Sequence, residues 1–195
     1  MLLGAGWTGD IPLVDPMCGS GTIPIEAARL ARRIAPGRDR RFAFLDWPET
    51  NLTAWKARVD QARDSELQRS PVSIGGADRD AGAIDAASAN AERGGVRGDI
   101  DLLVQPISAL AADESRGLII SNPPYGARVG ERDRLRNLYA QIGNVMRQKR
   151  PESTLALLLA DRQLEAQVEL PFRDVFETRN GGIPVRFVMA RRTSR

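Results

Sequence analysis

The sequence contains no histidine and only one cysteine, and these two absences narrow its chemistry. A single thiol, Cys18, excludes a disulfide within the chain, and the lack of imidazole leaves few soft ligands for zinc or iron. No apolar run approaches the ~20 residues of a membrane span, and no basic stretch precedes an apolar one at the amino terminus. We therefore expect a cytoplasmic protein that binds no metal and does not act in a membrane.

Lysine is also scarce. All but two of the 28 basic residues are arginine, the exceptions being Lys56 and Lys149. Arginine suits contacts with phosphates and bases, but a compositional habit of the source genome explains the same bias, so the count alone leaves nucleic-acid binding open. A length of 195 residues and a hydrophobic fraction of 42% predict one domain over 1–195 with a core of its own.

Short apolar runs alternate with longer helical patterns, which is typical of an α/β sheet protein. The predicted strands are Pro12 to Asp15, Val72 to Gly75, Asp101 to Val104, Leu118 to Ser121, Thr154 to Ala160, Val175 to Arg179 and Val185 to Ala190. The predicted helices are Ile23 to Ile34, Leu52 to Leu67, Ala81 to Arg93, Arg134 to Gln148 and Arg162 to Glu169. The pattern favours a seven-stranded, mostly parallel sheet with one antiparallel strand from a carboxyl-terminal hairpin, and an insertion at about 36–70.

A glycine-rich turn follows the first predicted strand and leads directly into a helix. Gly19 and Gly21 allow positive φ and a close backbone approach to a ligand, while amides at the helix start are donors. Position 24 is Pro24 where dinucleotide folds carry a third glycine, so pyrophosphate binding is disfavoured. Asp78 after the second strand can accept from both ribose hydroxyls, although the nearby Asp80 is a candidate for the same place or for a helix cap. A tight turn without a ligand is the alternative.

The tetrapeptide Asn122-Pro123-Pro124-Tyr125 follows the fourth predicted strand, at the same edge of the sheet. Two prolines stiffen the backbone, and the side-chain oxygen of Asn122 and the carbonyl of Pro123 can each accept a hydrogen from an exocyclic amine. That arrangement turns the nitrogen lone pair toward an electrophile, and Tyr125 offers a face for stacking on a planar base. A proline-stiffened turn with an incidental tyrosine is the competing interpretation.

These motifs resemble those of class I S-adenosylmethionine-dependent methyltransferases that act on amino groups. The resemblance is closer to the catalytic domain of the THUMP-containing ribosomal RNA guanine-N2 methyltransferases. It extends over residues 13–22, Ile25 to Ala28, Ala35 to Gly37, Trp47, Trp55, residues 122–126 and Asn180-Gly181. The resemblance implies a Rossmann-like fold, S-adenosyl-L-methionine as cofactor, and direct methyl transfer to the exocyclic amine of a guanine, in large-subunit ribosomal RNA.

The resemblance also implies site residues. Catalytic roles fall on Asn122, Pro123 and Tyr125. Cofactor contacts fall on Asp15, Cys18, Gly19, Ser20, Gly21, Thr22, Asp78, Arg79, Gln105 and Asn122. Substrate contacts fall on Pro124, Tyr125 and Arg128, with RNA as the partner. Two groups of arginines are candidates for contacts with RNA phosphates. They are Arg38, Arg40 and Arg41 in the insertion, and Arg128, Arg132, Arg134 and Arg136 after the Asn-Pro-Pro-Tyr tetrapeptide.

Two departures from the family temper this interpretation. Relatives carry an acidic residue after the third strand for the adenine amino group, whereas this chain has Gln105 followed by Pro106, which leaves Gln105 or Ser108 to substitute. Relatives also carry an RNA-binding THUMP domain before the first strand, and we expect it to be absent here. The alternatives are a DNA adenine or protein glutamine amino-methyltransferase, and a catalytically idle cofactor- or RNA-binding module.

Overall fold

A computed structural model describes residues 1–125 and 132–190. Its strands are β1 (Leu13–Asp15), β2 (Ile74–Asp78), β3 (Asp101–Val104), β4 (Leu118–Ser121), β5 (Thr154–Leu159), β6 (Phe172–Asn180) and β7 (Ile183–Ala190). Its helices are α1 (Thr22–Ala31), α2 (Leu52–Asp64), α3 (Ala81–Arg93), α4 (Arg132–Lys149) and α5 (Arg162–Val168). Short 3-10 turns lie at Ala43–Asp46, Arg97–Asp99 and Ile107–Ala109. Within the described residues, no helix is long and apolar enough to cross a membrane.

The strands form one sheet in the order β3-β2-β1-β4-β5-β7-β6. Strands β1 to β5 pair in parallel, and β7 is antiparallel to both β5 and β6. Because β6 then runs in the same direction as β1 to β5, only β7 is reversed. The predicted α/β fold, a Rossmann-like, mostly parallel sheet of seven strands with one antiparallel strand from a terminal hairpin, is confirmed.

The sheet is covered on both faces, and alternate residues of its central strands serve different cores. In β4, Leu118 and Ile120 pack in the cluster that contains Ala27 of α1. Ile119 packs in the other cluster, which contains Tyr139 of α4. This alternation follows from the two-residue period of a strand, and burial on both faces is why β4 is an uninterrupted apolar run.

The second strand starts and ends later than the sequence predicted. It runs over Ile74–Asp78 rather than Val72 to Gly75, so that Asp78 is its last residue. The two glycines at 75 and 76 resemble a turn signal, but they lie inside the strand. A Cβ at Gly76 would lie 2.9 Å from Leu102 Cδ2 and 3.3 Å from Cys18 Sγ, so glycine leaves room here for the edge strand and the first loop to pack closely.

The insertion at 36–70 lies at the amino-terminal edge of the sheet. Helix α1 starts at the carboxyl end of β1 and ends at the opposite edge, where the Arg32 side chain donates to the carbonyl of Leu67 and to Asp99. The aromatic residues of the insertion pack on one another, with the ring of Trp55 5.5 Å from the ring of Phe42 and 5.0 Å from that of Phe44.

Charged residues within the insertion bind one another. Arg38 forms ion pairs with Glu66 at 2.7 Å and with Asp39 at 3.2 Å, and Arg41 forms one with Asp46. These pairs use two of the three insertion arginines that the sequence offered for phosphate contacts. Acidic and basic side chains are almost balanced over 36–70, so the segment is not a basic surface.

Candidate active site

The loops that carry both motifs meet where the strand order reverses. Strand β1 lies between β2 and β4, and chain connections leave this point in opposite directions along the sheet. The crevice beyond the carboxyl ends of strands at such a point is where open α/β sheets bind ligands. We call residues 16–21, after β1, the glycine loop and residues 122–125, after β4, the catalytic loop.

The two glycines of the glycine loop serve different purposes. Both have positive φ, 52° at Gly19 and 85° at Gly21. A Cβ on Gly21 would lie 2.9 Å from the Cβ of Ala87 in α3, so glycine is required there for helix packing. A Cβ on Gly19 would meet no atom within 4 Å. The space in front of Gly19 is therefore open to a ligand, and this is the part of the turn that can bear a cofactor against the backbone.

The glycine loop is anchored to β2 and α3 by hydrogen bonds. The amide of Cys18 donates to the carbonyl of Ala77 at 2.9 Å, and Asn90 Nδ2 donates to the carbonyl of Ser20 at 2.8 Å. Helix α1 begins at Thr22 without a side-chain cap from the described residues, with Gly21 in the left-handed conformation at the cap position. Amides at this helix start are left as donors at the same edge as the open space.

Asp78 lies beside the glycine loop and is available to a ligand. Its Oδ2 accepts from the Gly19 amide at 3.1 Å, and its Oδ1 accepts from the Asp80 amide at 3.0 Å. Each carboxylate oxygen retains a lone pair, so the half-buried group can still accept two hydroxyls. Asp80 instead caps α3 by accepting from the Gly82 amide at 2.9 Å, which leaves Asp78 as the candidate for the ribose. The backbone amide of Gln105 donates to the backbone carbonyl of Asp78 at 2.8 Å, so Gln105 lies next to the candidate ribose site.

Asp15 and Cys18 lie under the glycine loop rather than in the crevice. Asp15 is 1% exposed, and burial raises its pKa to about 7. Cys18 is 8% exposed, and burial, with Asp15 and Asp78 nearby, raises its pKa to about 12, so its thiol stays protonated. Both side chains are thus largely buried beneath the loop, and the cofactor contacts predicted for these two residues stay predictions. Gly21 is buried in the same way, whereas Ser20, Thr22 and Arg79 are exposed.

In the catalytic loop, exposed and buried residues alternate. Asn122 and Pro124 are exposed, Pro123 is buried and Tyr125 is half-buried. Asn122 is therefore accessible at the carboxyl end of β4, whereas Pro123 is not. Arg128, predicted to contact the substrate, lies outside the described residues.

Two hydrogen bonds from distant elements hold the catalytic loop. Tyr139 of α4, 1% exposed, donates its hydroxyl to the carbonyl of Pro124 at 3.3 Å, and burial raises its pKa so that it remains a donor. Asn180, at the tip of the β6-β7 hairpin, donates its side-chain amide to the hydroxyl of Tyr125. Sequence reasoning missed both supports. A tyrosine on an apolar helix face offered only a weak signal, since such a residue usually has a hydrogen-bond partner for its hydroxyl.

Arginines surround the catalytic side of this edge. Arg134 and Arg136 are exposed in the first two turns of α4, and Arg132 donates to Gln163 of α5 at 2.7 Å. Cations at a helix amino terminus oppose the helix dipole, at a cost of about 0.3–1 kcal/mol each, unless an anion is nearby. Of the two arginine groups predicted to contact phosphates, it is the group in α4 whose described members lie at the carboxyl edge of the sheet. Among the described residues, no group of three or more histidine, cysteine or carboxylate side chains is placed to hold a metal.

Comparisons with known proteins agree on one family. Residues 1–187 match the model of the UPF0020 family, described as the RMKL-like methyltransferase domain. The chain is 33% identical over 185 residues to slr0064 of Synechocystis sp., named as an RNA methyltransferase, covering 94% of this chain and 48% of slr0064. It is 34% identical over 178 residues to the ribosomal RNA large subunit methyltransferase K/L of Desulfotalea psychrophila, covering 89% of this chain and 25% of that protein.

A solved structure gives the same result. SMU.472, named as a methyltransferase and solved in complex with SAH, superposes with a TM-score of 0.89 at 28% identity, covering 100% of this chain and 51% of SMU.472. The chain thus spans about half the length of slr0064 and of SMU.472, and a quarter of the K/L enzyme.

Proposed function

Because this chain belongs to the family of RMKL-like methyltransferase domains, we propose that it transfers a methyl group from S-adenosylmethionine to the exocyclic amine of a guanine in large-subunit ribosomal RNA. The observation that carries the proposal is the exposed Asn122 at the end of β4, beside the open face of the glycine loop at the end of β1. A cofactor and an amine could thus meet in one crevice.

The described residues fit the cofactor. The open space before Gly19 admits a ligand against the backbone, and the half-buried Asp78 keeps lone pairs for two ribose hydroxyls. Exposed Ser20 and Thr22 lie at the uncapped start of α1, where amides and hydroxyls suit the polar amino-acid part. Adenine would lie toward β3, where this chain has the amide of Gln105 and relatives have a carboxylate. When bound, S-adenosylmethionine supplies a methyl group that a sulfonium has already made electrophilic.

The chain's task in the reaction is to orient the amine. Asn122 Oδ1 and the carbonyl of Pro123 accept the two amine hydrogens, which points the nitrogen lone pair toward the methyl group. Tyr125 stacks on the base, and its hydroxyl is held by Asn180. Such alignment is worth up to ~7–11 kcal/mol of the barrier when both partners are well placed. The amine proton becomes acidic only as the new bond forms, so it can leave to water without a carboxylate base.

An RNA strand must present its base unpaired or flipped, because the crevice cannot admit a duplex. Pro124 and Tyr125 would border the base, and Arg128 remains our candidate for a contact beyond the catalytic loop. The exposed Arg134 and Arg136 are placed to neutralise phosphates at the same edge, which offsets their unfavourable position at the start of α4.

The substrate assignment draws on the relatives as well as the site. The catalytic loop selects for a planar amine or amide, which nucleic acid bases and glutamine side chains share. RNA as the substrate class is supported by slr0064, named as an RNA methyltransferase, and by the K/L enzymes, named for large-subunit ribosomal RNA. Guanine N2 as the acceptor rests on the motif resemblance over the whole chain.

The test is methyl transfer from radiolabelled S-adenosylmethionine to undermethylated ribosomal RNA, DNA and protein in parallel. We expect label only in RNA, and N2-methylguanosine after digestion and mass spectrometry. Label in N6-methyladenine of DNA, or in protein glutamine, would show that RNA is not the substrate, although the role of the Asn-Pro-Pro-Tyr loop in binding an amine would stand. Cofactor binding with no label in any substrate would instead favour an idle binding module and would overturn the proposal.

A further inference from the structure

One buried oxygen atom joins the glycine loop to the catalytic loop. Asp15 ends β1 and Ser121 ends β4, two neighbouring parallel strands. Ser121 Oγ donates to Asp15 Oδ1 at 2.6 Å, and the amide of Met17 donates to the same oxygen at 3.1 Å. Asp15 is 1% exposed and Ser121 is 0% exposed. Met17 belongs to the loop that faces the cofactor, and Ser121 immediately precedes Asn122.

We infer that Asp15 and Ser121 are positioning residues that set the distance between the cofactor's loop and Asn122. This inference rests on the proposed function. Neither side chain touches the reacting atoms. The pair acts by fixing one loop relative to the other, so that an amine held by Asn122 lies in line with the methyl group bound before Gly19.

The energetics of burial make this bridge stiff. An oxygen that accepts two hydrogen bonds away from water faces little competition from solvent, so both bonds of the bridge stay formed. A displacement of about 1 Å between reacting groups can lower a rate roughly a hundredfold, so small changes in loop spacing suffice to affect transfer.

Each loop also has an anchor that does not involve the other. Asn90 holds the glycine loop through the carbonyl of Ser20, and Tyr139 holds the catalytic loop through the carbonyl of Pro124. Removing the bridge should therefore leave each loop folded and able to bind its own ligand. What changes is their relative placement, which affects the transfer step and not cofactor binding.

The variant is Ser121→Ala, which deletes one hydroxyl and leaves the Met17 bond to Asp15 intact. We expect kcat to fall roughly tenfold while the Kd for S-adenosylmethionine stays within about twofold. The matched control is Ser153→Ala, which deletes the hydroxyl of another buried serine outside both loops and should change neither kcat nor the cofactor Kd. An unchanged kcat in Ser121→Ala, an equal loss of kcat in both variants, or a loss in Ser121→Ala that follows its cofactor affinity would overturn the inference.

A second readout does not depend on transfer. Adding SAH should slow hydrogen exchange at the amides of Asn122 and Tyr125 in the wild type, because the bridge transmits the ordering of the glycine loop. In Ser121→Ala the same ligand should bind but slow these amides much less. Equal protection in both proteins would refute the bridge. Absence of methyl transfer by the wild type would count against the proposed function alone, since the exchange experiment still tests the pair.

Discussion

The buried carboxyl group of Asp15 should make the protein less stable as pH rises from about 4 to about 7. Burial raises its pKa from 3.8 to about 7, and hydrogen bonds from Ser121 and Met17 offset only part of that shift. Since the folded pKa lies above the unfolded one, the folded state binds more protons in this window. The stabilising contribution is complete below about pH 4 and is lost as pH rises through about 7. About three pKa units at about 1.4 kcal/mol each give an upper bound of about 4 kcal/mol.

The perturbation is Asp15→Asn, which keeps the shape and an acceptor oxygen but does not titrate. We expect the free energy of unfolding of this variant, measured by urea titration relative to the wild type, to rise between about pH 4 and about pH 8. Taking the difference cancels other carboxyls such as Asp113, whose lowered pKa acts in the opposite direction. Ser121→Ala should extend the wild-type loss to higher pH, because it deletes a bond that lowers the Asp15 pKa. A difference between Asp15→Asn and the wild type that is the same at both ends of the range would refute the reasoning.

Four further predictions concern the crevice. Asn122→Ala should keep the cofactor Kd within a few-fold while transfer falls by about two orders of magnitude; equal losses of both would contradict its role. Asp78→Ala should raise the cofactor Kd first, by isothermal titration, and an unchanged Kd would exclude the ribose contact. Gly19→Ala and Gly21→Ala should each cost about 1–2 kcal/mol of stability from positive φ, with a further cost at Gly21 from its 2.9 Å clash, and only Gly19→Ala, which fills the open space, should also weaken cofactor binding directly. Arg134→Gln should lower by about one the slope of log affinity for RNA against log salt, with Arg58→Gln on α2 as a control without effect.

The fold could be predicted because local patterns and topology agree. Short apolar runs predict the strands, helical spacing predicts the helices and the glycine pair before β7 predicts the hairpin, and short connections leave few ways to order parallel strands. The boundaries of β2 could not be predicted in the same way. Gly75 and Gly76 carry a turn signal in sequence, and the close approach of Leu102 and Cys18 to Gly76 appears only in the folded chain. A packing requirement of this kind involves residues that are distant in sequence.

The site shows the same division. The two loops were predicted because each is defined by a short run of consecutive residues: glycines before a helix in one, and an asparagine before two prolines in the other. Asp78 was preferred to Asp80 because it is nearer the strand end, and the hydrogen bond by which Asp80 caps α3 agrees with that preference. The support from Tyr139 could not be predicted, because the sequence does not show which carbonyl a buried hydroxyl reaches. The burial of Asp15 could not be predicted for the same reason, since exposure is a property of the folded chain.

The position of the insertion limits what it contributes to base selection. Its tryptophans support the family resemblance, yet it starts beyond the far end of α1, a helix of 10 residues and so about 15 Å long. The ends of the insertion therefore lie at the amino-terminal edge, where Arg32 binds Leu67, whereas Asn122 follows β4 at the carboxyl edge. Under the proposed function, selection of the base falls to groups at the carboxyl edge, where Asn180 at the hairpin tip contacts Tyr125.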